Sequence, residues 1–518
     1  MRAASYVPID TARGGEPASA GPTPRVDVVA GAGDLPRVDV AAIPDGPGCR
    51  AGSVEAFRDS VEGRGHAPSS PHDQPQTMCP AFGSLRVGLR MRRTATILCG
   101  SACCVYGLTF TSHFYGARRT VGYVPFSSET LVTGKLFEDI RDAVHQLADP
   151  AQYDAIIVTN LCVPTAAGVP LRLLPKQVNG VRVIGIDVPG FGTGTHAEAK
   201  DILGAAMLNR ARHEAEQGPV QAPRGGRSDR PTVTLLGEMF PADPVNIGML
   251  LAPLGLAAGP VVPTREWREL YAALDCGAVA AIHPIYTSVI REFEAAGRTV
   301  VGSAPVGYDG TAAWLDSIGD ACGVARVTVE AAKNKLLPPI RAALANARIR
   351  GRITMFGYEG SELLVARLLV ESGADLPYLS TACPRTRWSD ADREWLEARG
   401  VKVQFRGTHE QDLEAIAEYK PDLAIGTTPM VQKAKSLGIP SIYFTNLIST
   451  LPMFGVAGAG TLAKLMNAAI GNKPRFDKMS AFFAGVGEDA EDERPEFREA
   501  YKRRIAAQAK QRKAEEIG

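Results

Sequence analysis

The sequence predicts an α/β protein made of three doubly wound, Rossmann-like parallel-sheet units in series, and three observations predict it. Short β-branched apolar runs end at Gly, Asn or Cys without polar alternation, the mark of strands buried on both faces. Stretches with apolar residues at helical spacing separate them. The pattern then restarts twice along the 518 residues, a length suited to roughly three domains of about 150 residues each.

The first unit, residues 76–215, contains the runs TATILCG (94–100), YDAIIVTN (153–160) and VRVIGIDV (181–188), read as buried parallel strands. Between the first two, Leu136, Ile140, Val144 and Leu147 recur at helical spacing. A linker rich in Gly, Pro and charge follows at 216–231, and the second unit occupies 232–349. Its strands are TVTLLGE (232–238), AVAAIHPI (278–285) and TVVGSAPV (299–306), and Asp243-Pro244 supplies a helix cap with proline at the first helical position. The third unit, 350–486, opens with RITMFG, places Ser361 as an N-cap and Gly373 as a helix stop, and continues through VKVQFRG (401–407), DLAIGTT (422–428) and PSIYFTN (440–446). Residues 1–75 are rich in Gly, Pro, Ala and Ser and read as a flexible extension outside the core; residues 487–518 read as a charged helical tail.

Composition excludes several functions. Lys+Arg 57 against Asp+Glu 56 leaves a net charge of +1, without the basic footprint of a nucleic-acid or membrane-surface binder. No apolar run reaches the 18 to 20 or so residues that span a bilayer, and the N-terminus lacks the order of an export signal, so a cytoplasmic location is expected. No stretch matches GxxxxGK[ST], so nucleotide binding by this chain is not expected. The turns GFGTGT (190–195) and GVAGAG (455–460) lack dinucleotide-loop spacing.

The chemistry rests on the nine cysteines. An odd number without an export signal argues against a disulfide framework. Cys79 precedes Pro80; Cys103 and Cys104 follow the first strand in GSACCVYG; Cys162 follows the second in TNLCVP. Strand-end loops of such units converge on one edge, which brings Cys104 and Cys162 together, and Cys79, just before the first strand, can fold back to meet them. The separations of 25 and 58 residues from Cys79 to Cys104 to Cys162 are too wide for a zinc knuckle or a bacterial ferredoxin run. Spacing alone is compatible with a shared iron–sulfur cluster or with buried structural thiols, and strand-end position does not choose between Cys103 and Cys104. Cys49 lies in the extension; Cys99, Cys276, Cys322 and Cys383 read as core. His113, His283 and Tyr286 lie at strand ends or loops, where a structural role is at least as good a reading as ligand contact.

The order CP, then G-x-x-x-C after the first strand, then a Cys after DAIIVTN, then a V-x-G-F-G turn, resembles the α-type subunits of the nitrogenase component 1 family. The resemblance covers roughly residues 76–480. Within that family, CPAFGSLRVGLRMRRTATILCGSACCVYGLTFTSHFYGARR and GYEGSELLVARLLVESGADLPYLSTACPRTRW are most similar to the Y-type subunits of its chlorophyllide-reducing branch. The resemblance implies a 4Fe-4S cluster held by Cys79, Cys104 and Cys162, with the remaining ligand from a Z subunit, in a Y/Z heterodimer that pairs into a Y2Z2 heterotetramer. A Z-type subunit would carry one such cysteine, so the count assigns the chain to the Y type. It further implies a transiently docking X-subunit iron protein that hydrolyses ATP and passes on electrons from reduced ferredoxin. The implied reaction is reduction of the ring B C7–C8 double bond of chlorophyllide a, in bacteriochlorophyll biosynthesis.

Where nitrogenase anchors its cofactor through a cysteine and a histidine, this chain has Pro284, after His283, and Phe454. Neither proline nor phenylalanine ligates metal, which leaves a cleft for an apolar tetrapyrrole. Two alternatives stand beside this reading: an N-type subunit of a dark-operative protochlorophyllide reductase, and a non-catalytic scaffold for cofactor assembly.

Overall fold

The computed structural model describes residues 7–9, 79–114, 121–221, 228–237, 243–357 and 360–483. Three sheets follow one another along the chain. The first runs β1 (Val7–Ile9), β3 (Val121–Val124), β2 (Thr94–Cys99), β4 (Ala155–Asn160), β6 (Val181–Asp187), β5 (Gln177–Val178) in spatial order. Its inner four strands are parallel; β1 and β5 pair antiparallel at the edges. An edge strand thus comes from inside the 1–75 segment, the rest of which lies outside the described residues, as does the 487–518 tail.

The second sheet orders β10 (Val300–Val301), β9 (Ala278–Ala281), β7 (Thr232–Leu236), β8 (Ala257–Val262), all parallel. The third orders β13 (Lys402–Phe405), β12 (Asp375–Thr381), β11 (Arg352–Phe356), β14 (Leu423–Gly426), β15 (Ser441–Tyr443), again all parallel. In each, the first long strand lies inside the sheet and the chain winds outward from it in both directions, the doubly wound arrangement expected.

Two strands that periodicity did not reveal, β8 and β12, each contain a proline. Both are admitted by an irregularity in the ladder: pairing with β7 shifts between Ala258 and Val261, around Pro260, and pairing with β11 shifts between Asp375 and Tyr378, around Pro377. The shift removes the register position at which a missing amide would break the sheet. Gly259 is needed as well, because a Cβ there would come within 3.0 Å of the Val233 carbonyl oxygen.

Three expected strands are shorter than read. β9 stops at Ala281, before Pro284, and β10 spans two residues. β15 ends at Tyr443, where a helix, Phe444–Thr450, begins. Phe444 and Leu447 are both fully buried, and a spacing of three puts both on one face of a helix but on opposite faces of a strand.

The units are joined by packing and polar contacts. One core cluster spans the second and third units through Leu250, Trp314, Leu364 and Phe454, and another spans the first and second through Leu85, Leu203, Ile285 and Phe293. Glu214, on the His196–Gln217 helix, accepts from Arg182 of β6 at 2.9 Å, and from Trp267 Nε1 at 3.2 Å and the Tyr271 hydroxyl at 2.6 Å in the second unit. Arg406, just past β13, pairs with Glu198 near the start of the same helix.

Candidate functional site

In the first sheet the chain leaves central β2 toward β3 on one side, then crosses to β4 on the other. The carboxyl ends of β2 and β4 therefore flank the point where winding reverses, the place where open α/β sheets bind ligands. Cys99 pairs with Asn160 across this end, and the Leu161 amide donates to the Cys99 carbonyl at 2.8 Å. Gly100 lets the two strand ends approach, since a Cβ there would lie 3.0 Å from the Leu161 side chain.

Past these ends the cysteines appear at once. Cys103 and Cys104 lie in the first turn of the Ala102–Phe114 helix, and Cys162 opens the Cys162–Ala166 helix. Cys79 is the N-cap of the Pro80–Arg90 helix, with Pro80 at its first position. All four thiols are exposed. Burial of its surroundings raises the Cys79 thiol above its ordinary value; the Ala81 amide opposes this, and the neighbouring thiols of Cys162 and Cys104 add to it. Cys104 and Cys162 thus each lie within electrostatic reach of Cys79. Cys103 is a neighbour of Cys104 through Ser101 and also acts electrostatically on Tyr123 of β3.

Two further polar groups reach the sulfurs of Cys162, Cys103 and Cys104. The Gly190 amide, in the V-P-G-F-G turn after β6, donates to Cys162 Sγ at 3.1 Å. Ser101 Oγ lies 3.1 Å from both Cys103 Sγ and Cys104 Sγ. The sequence singled out neither Ser101 nor Gly190 as a contact to sulfur.

The donor set fits an iron–sulfur cluster. Thiolates are its ligands, and a backbone amide already donates to the Cys162 sulfur. Among the described residues no three His, Cys, Asp or Glu side chains gather closely enough for one metal ion. A cluster asks for wider spacing, because each thiolate binds a different iron. Large apolar side chains stand exposed on the same segments: Tyr106 at 70% and Phe110 at 63% on the Ala102–Phe114 helix, and Phe191 at 55% beside Gly190. The rings of Tyr106 and Phe110 stack at 6.3 Å. Exposed aromatics beside accessible thiols are the pattern of a face that another chain covers.

Elsewhere, Cys99, Cys276 and Cys383 are buried and Cys322 is half-buried, as a core role requires. Cys49 and the His113 side chain lie outside the described residues. His283 follows β9 at the reversal point of the second sheet, its amide donating to the Leu236 carbonyl at 3.2 Å, and it is fully buried, stacked with buried Tyr286. Phe454 is fully buried in the core shared by the second and third units, so its ring packs inside the protein rather than lining an open cleft. A cleft of 1040 Å³ lined by Arg230, Thr232, Tyr271, Gly277 and Arg298 opens at the other edge of the second sheet, by the amino ends of β7 and β9.

Accessible thiols thus lie at the reversal point of the first of three α/β units. The match to the family described as nitrogenase component 1 type oxidoreductase extends over residues 79–470, and the chain belongs to it. Membership implies use of an iron–sulfur cluster within a multi-subunit assembly. The chain is 66% identical over 490 residues to the chlorophyllide reductase 52.5 kDa chain of Cereibacter sphaeroides, covering 92% of this chain and 98% of that one. It is 67% identical over 458 residues to the chain of the same name in Rhodobacter capsulatus, covering 87% and 92%. Subunit N of the light-independent protochlorophyllide reductase of a Bradyrhizobium species is 29% identical over 304 residues, covering 57% and 67%. In fold, a solved structure of nitrogenase Cp1 at pH 6.5 aligns with a TM-score of 0.59 at 17% identity, over 77% of this chain and 93% of that one.

Proposed function

We propose that this chain is the Y-type, cluster-bearing subunit of a chlorophyllide a reductase, working with a Z subunit to reduce the ring B C7–C8 double bond. The observation that carries the proposal is the identity of 66% across 98% of a chlorophyllide reductase chain, against 29% across 67% of a protochlorophyllide reductase subunit. Cys79, Cys104 and Cys162 would hold a 4Fe-4S cluster together with a ligand from the partner, and the cluster supplies one-electron relay when bound. The chain's own part is to keep three thiolates accessible at one sheet edge, with the Gly190 amide and Ser101 hydroxyl against two of them. The exposed Tyr106, Phe110 and Phe191 give the Z subunit an apolar face to cover, which would shield the site from water.

A transient X-type iron protein would bind and hydrolyse the ATP, in keeping with the lack of a GxxxxGK[ST] motif here. The pairs would assemble as a Y2Z2 heterotetramer in the cytoplasm; among the described residues no helix is long and apolar enough to cross a membrane. The test is to purify the complex anaerobically, add the X-type partner, a reductant and ATP, and supply chlorophyllide a and protochlorophyllide in separate reactions. The absorption spectrum of chlorophyllide a should change to that of a bacteriochlorin while protochlorophyllide is left unaltered. Turnover of protochlorophyllide instead would favour the N-type reading, and bound iron without turnover of either pigment would favour an assembly scaffold.

A further inference from the structure

Ser101 stands between the first sheet and the Ala102–Phe114 helix, its carbonyl accepting from the Val105 amide at 3.1 Å as an N-cap does. Its hydroxyl is turned to sulfur, 3.1 Å from Cys104 Sγ and 3.1 Å from Cys103 Sγ. A hydroxyl has one proton to donate and lone pairs to accept with, so it serves one sulfur as donor at a time. A thiolate committed to iron can only accept, whereas a thiol that ligates nothing has a proton to give. The arrangement that satisfies all three groups runs Cys103 S–H to Ser101 oxygen, and Ser101 O–H to Cys104 sulfur.

We propose that Ser101 is a positioning residue that raises the reduction potential of the cluster held by Cys104, by donating a hydrogen bond to that ligand sulfur, with Cys103 as the donor behind it. The inference rests on Cys104 being a cluster ligand. Its physical basis is that a reduced cluster carries more negative charge on its sulfurs, so a donor fixed against one of them stabilises the reduced form more than the oxidised one. The Gly190 amide on Cys162 acts in the same sense from the backbone, but only the Ser101 contact can be removed by changing a side chain.

The experiment is a potentiometric titration of the anaerobically purified complex with its partner subunit, followed by electron paramagnetic resonance of the reduced cluster, with iron measured on the same samples. Wild type, Ser101→Ala and Ser101→Thr are compared. Ser101→Ala is expected to keep its iron while its reduced-to-oxidised ratio at fixed potential falls about tenfold, a midpoint lower by about 59 mV for a one-electron couple. Ser101→Thr, which keeps the hydroxyl, should titrate with the wild type. Loss of iron from the alanine variant alone would also support the hydroxyl's role, as a bond the site cannot do without. The inference is overturned if Ser101→Ala holds its iron at the wild-type midpoint, or if both variants lose iron alike. Absence of iron from the wild-type complex would overturn the ligand reading itself, an outcome separate from the other two.

Discussion

The amide of Gly190 donates to Cys162 Sγ across 3.1 Å, tying the turn after β6 to the thiol after β4. A Cβ at position 190 would sit 3.3 Å from that sulfur, closer than most real contacts, so the turn can serve the thiol closely only as glycine. Gly190→Ala keeps the amide but pushes it away. Groups that support metal ligands typically contribute 10- to 100-fold in affinity, and a displaced donor loses part of that. The variant complex should fold normally and release iron to a chelator roughly fivefold faster than wild type, which is followed by the colour of the chelated iron.

Gly83 controls where the Cys79 helix lies. A Cβ there would fall 1.8 Å from the His196 carbonyl oxygen, an overlap that only separation of the Pro80–Arg90 and His196–Gln217 helices relieves. Gly83→Ala should cost about 3 kcal/mol, as overpacking of a close contact does. A lower urea midpoint, together with reduced iron content because Cys79 moves with its helix, is the expected pair of readouts.

Arg367 and Asp392 form an ion pair at 2.6 Å with side chains only 5% and 3% exposed. The Ser303 hydroxyl donates to the same carboxylate at 3.0 Å, and the guanidinium lies 4.8 Å from the Trp395 ring centre. Removing one partner leaves the other charge buried and unpaired, at a cost of about 3 to 5 kcal/mol, whereas replacing both with apolar residues costs much less. Denaturant unfolding of Arg367→Met, Asp392→Leu and the double variant should therefore give a double variant more stable than either single one.

Asp412, in the third unit, should make stability fall as pH rises. Burial pushes its carboxyl from 3.8 up to about 7, against the Ser380 side chain and the Tyr378 hydroxyl, which donates to it at 3.0 Å. Between those two values the folded state binds the proton that the unfolded state has released. The contribution is thus fully present below pH 3.8 and is lost as pH climbs through about 7. Across that interval it amounts to about 4 kcal/mol. In unfolding midpoints taken from pH 4.5 to 8, the difference between wild type and Asp412→Asn should move in favour of the variant as pH rises.

Much of this was legible in the sequence because buried parallel strands carry their signal in composition. TATILC and AIIVTN are short β-branched runs buried at every position, and they lie beside each other as β2 and β4. β8 and β12 were hidden by Pro260 and Pro377, since a proline argues against a strand unless a ladder irregularity takes it in, and that depends on the neighbouring strand. The end of β15 was hidden because a short apolar run does not declare its period until Phe444 and Leu447 are seen to be buried together. Strand-end position brought Cys104 and Cys162 to one edge in advance. The Ser101 and Gly190 contacts were not legible, because a hydrogen bond to sulfur depends on how a loop folds back, which residue type alone does not encode.

Iron analysis of the anaerobically purified complex tests most directly whether three thiols from this chain hold one cluster. Wild type should carry four irons per cluster. Cys79→Ala, Cys104→Ala and Cys162→Ala should each lose most of that iron and the associated visible absorption, while Cys103→Ala keeps both. Full iron in the Cys104→Ala complex, or its loss in Cys103→Ala instead, would contradict the assignment.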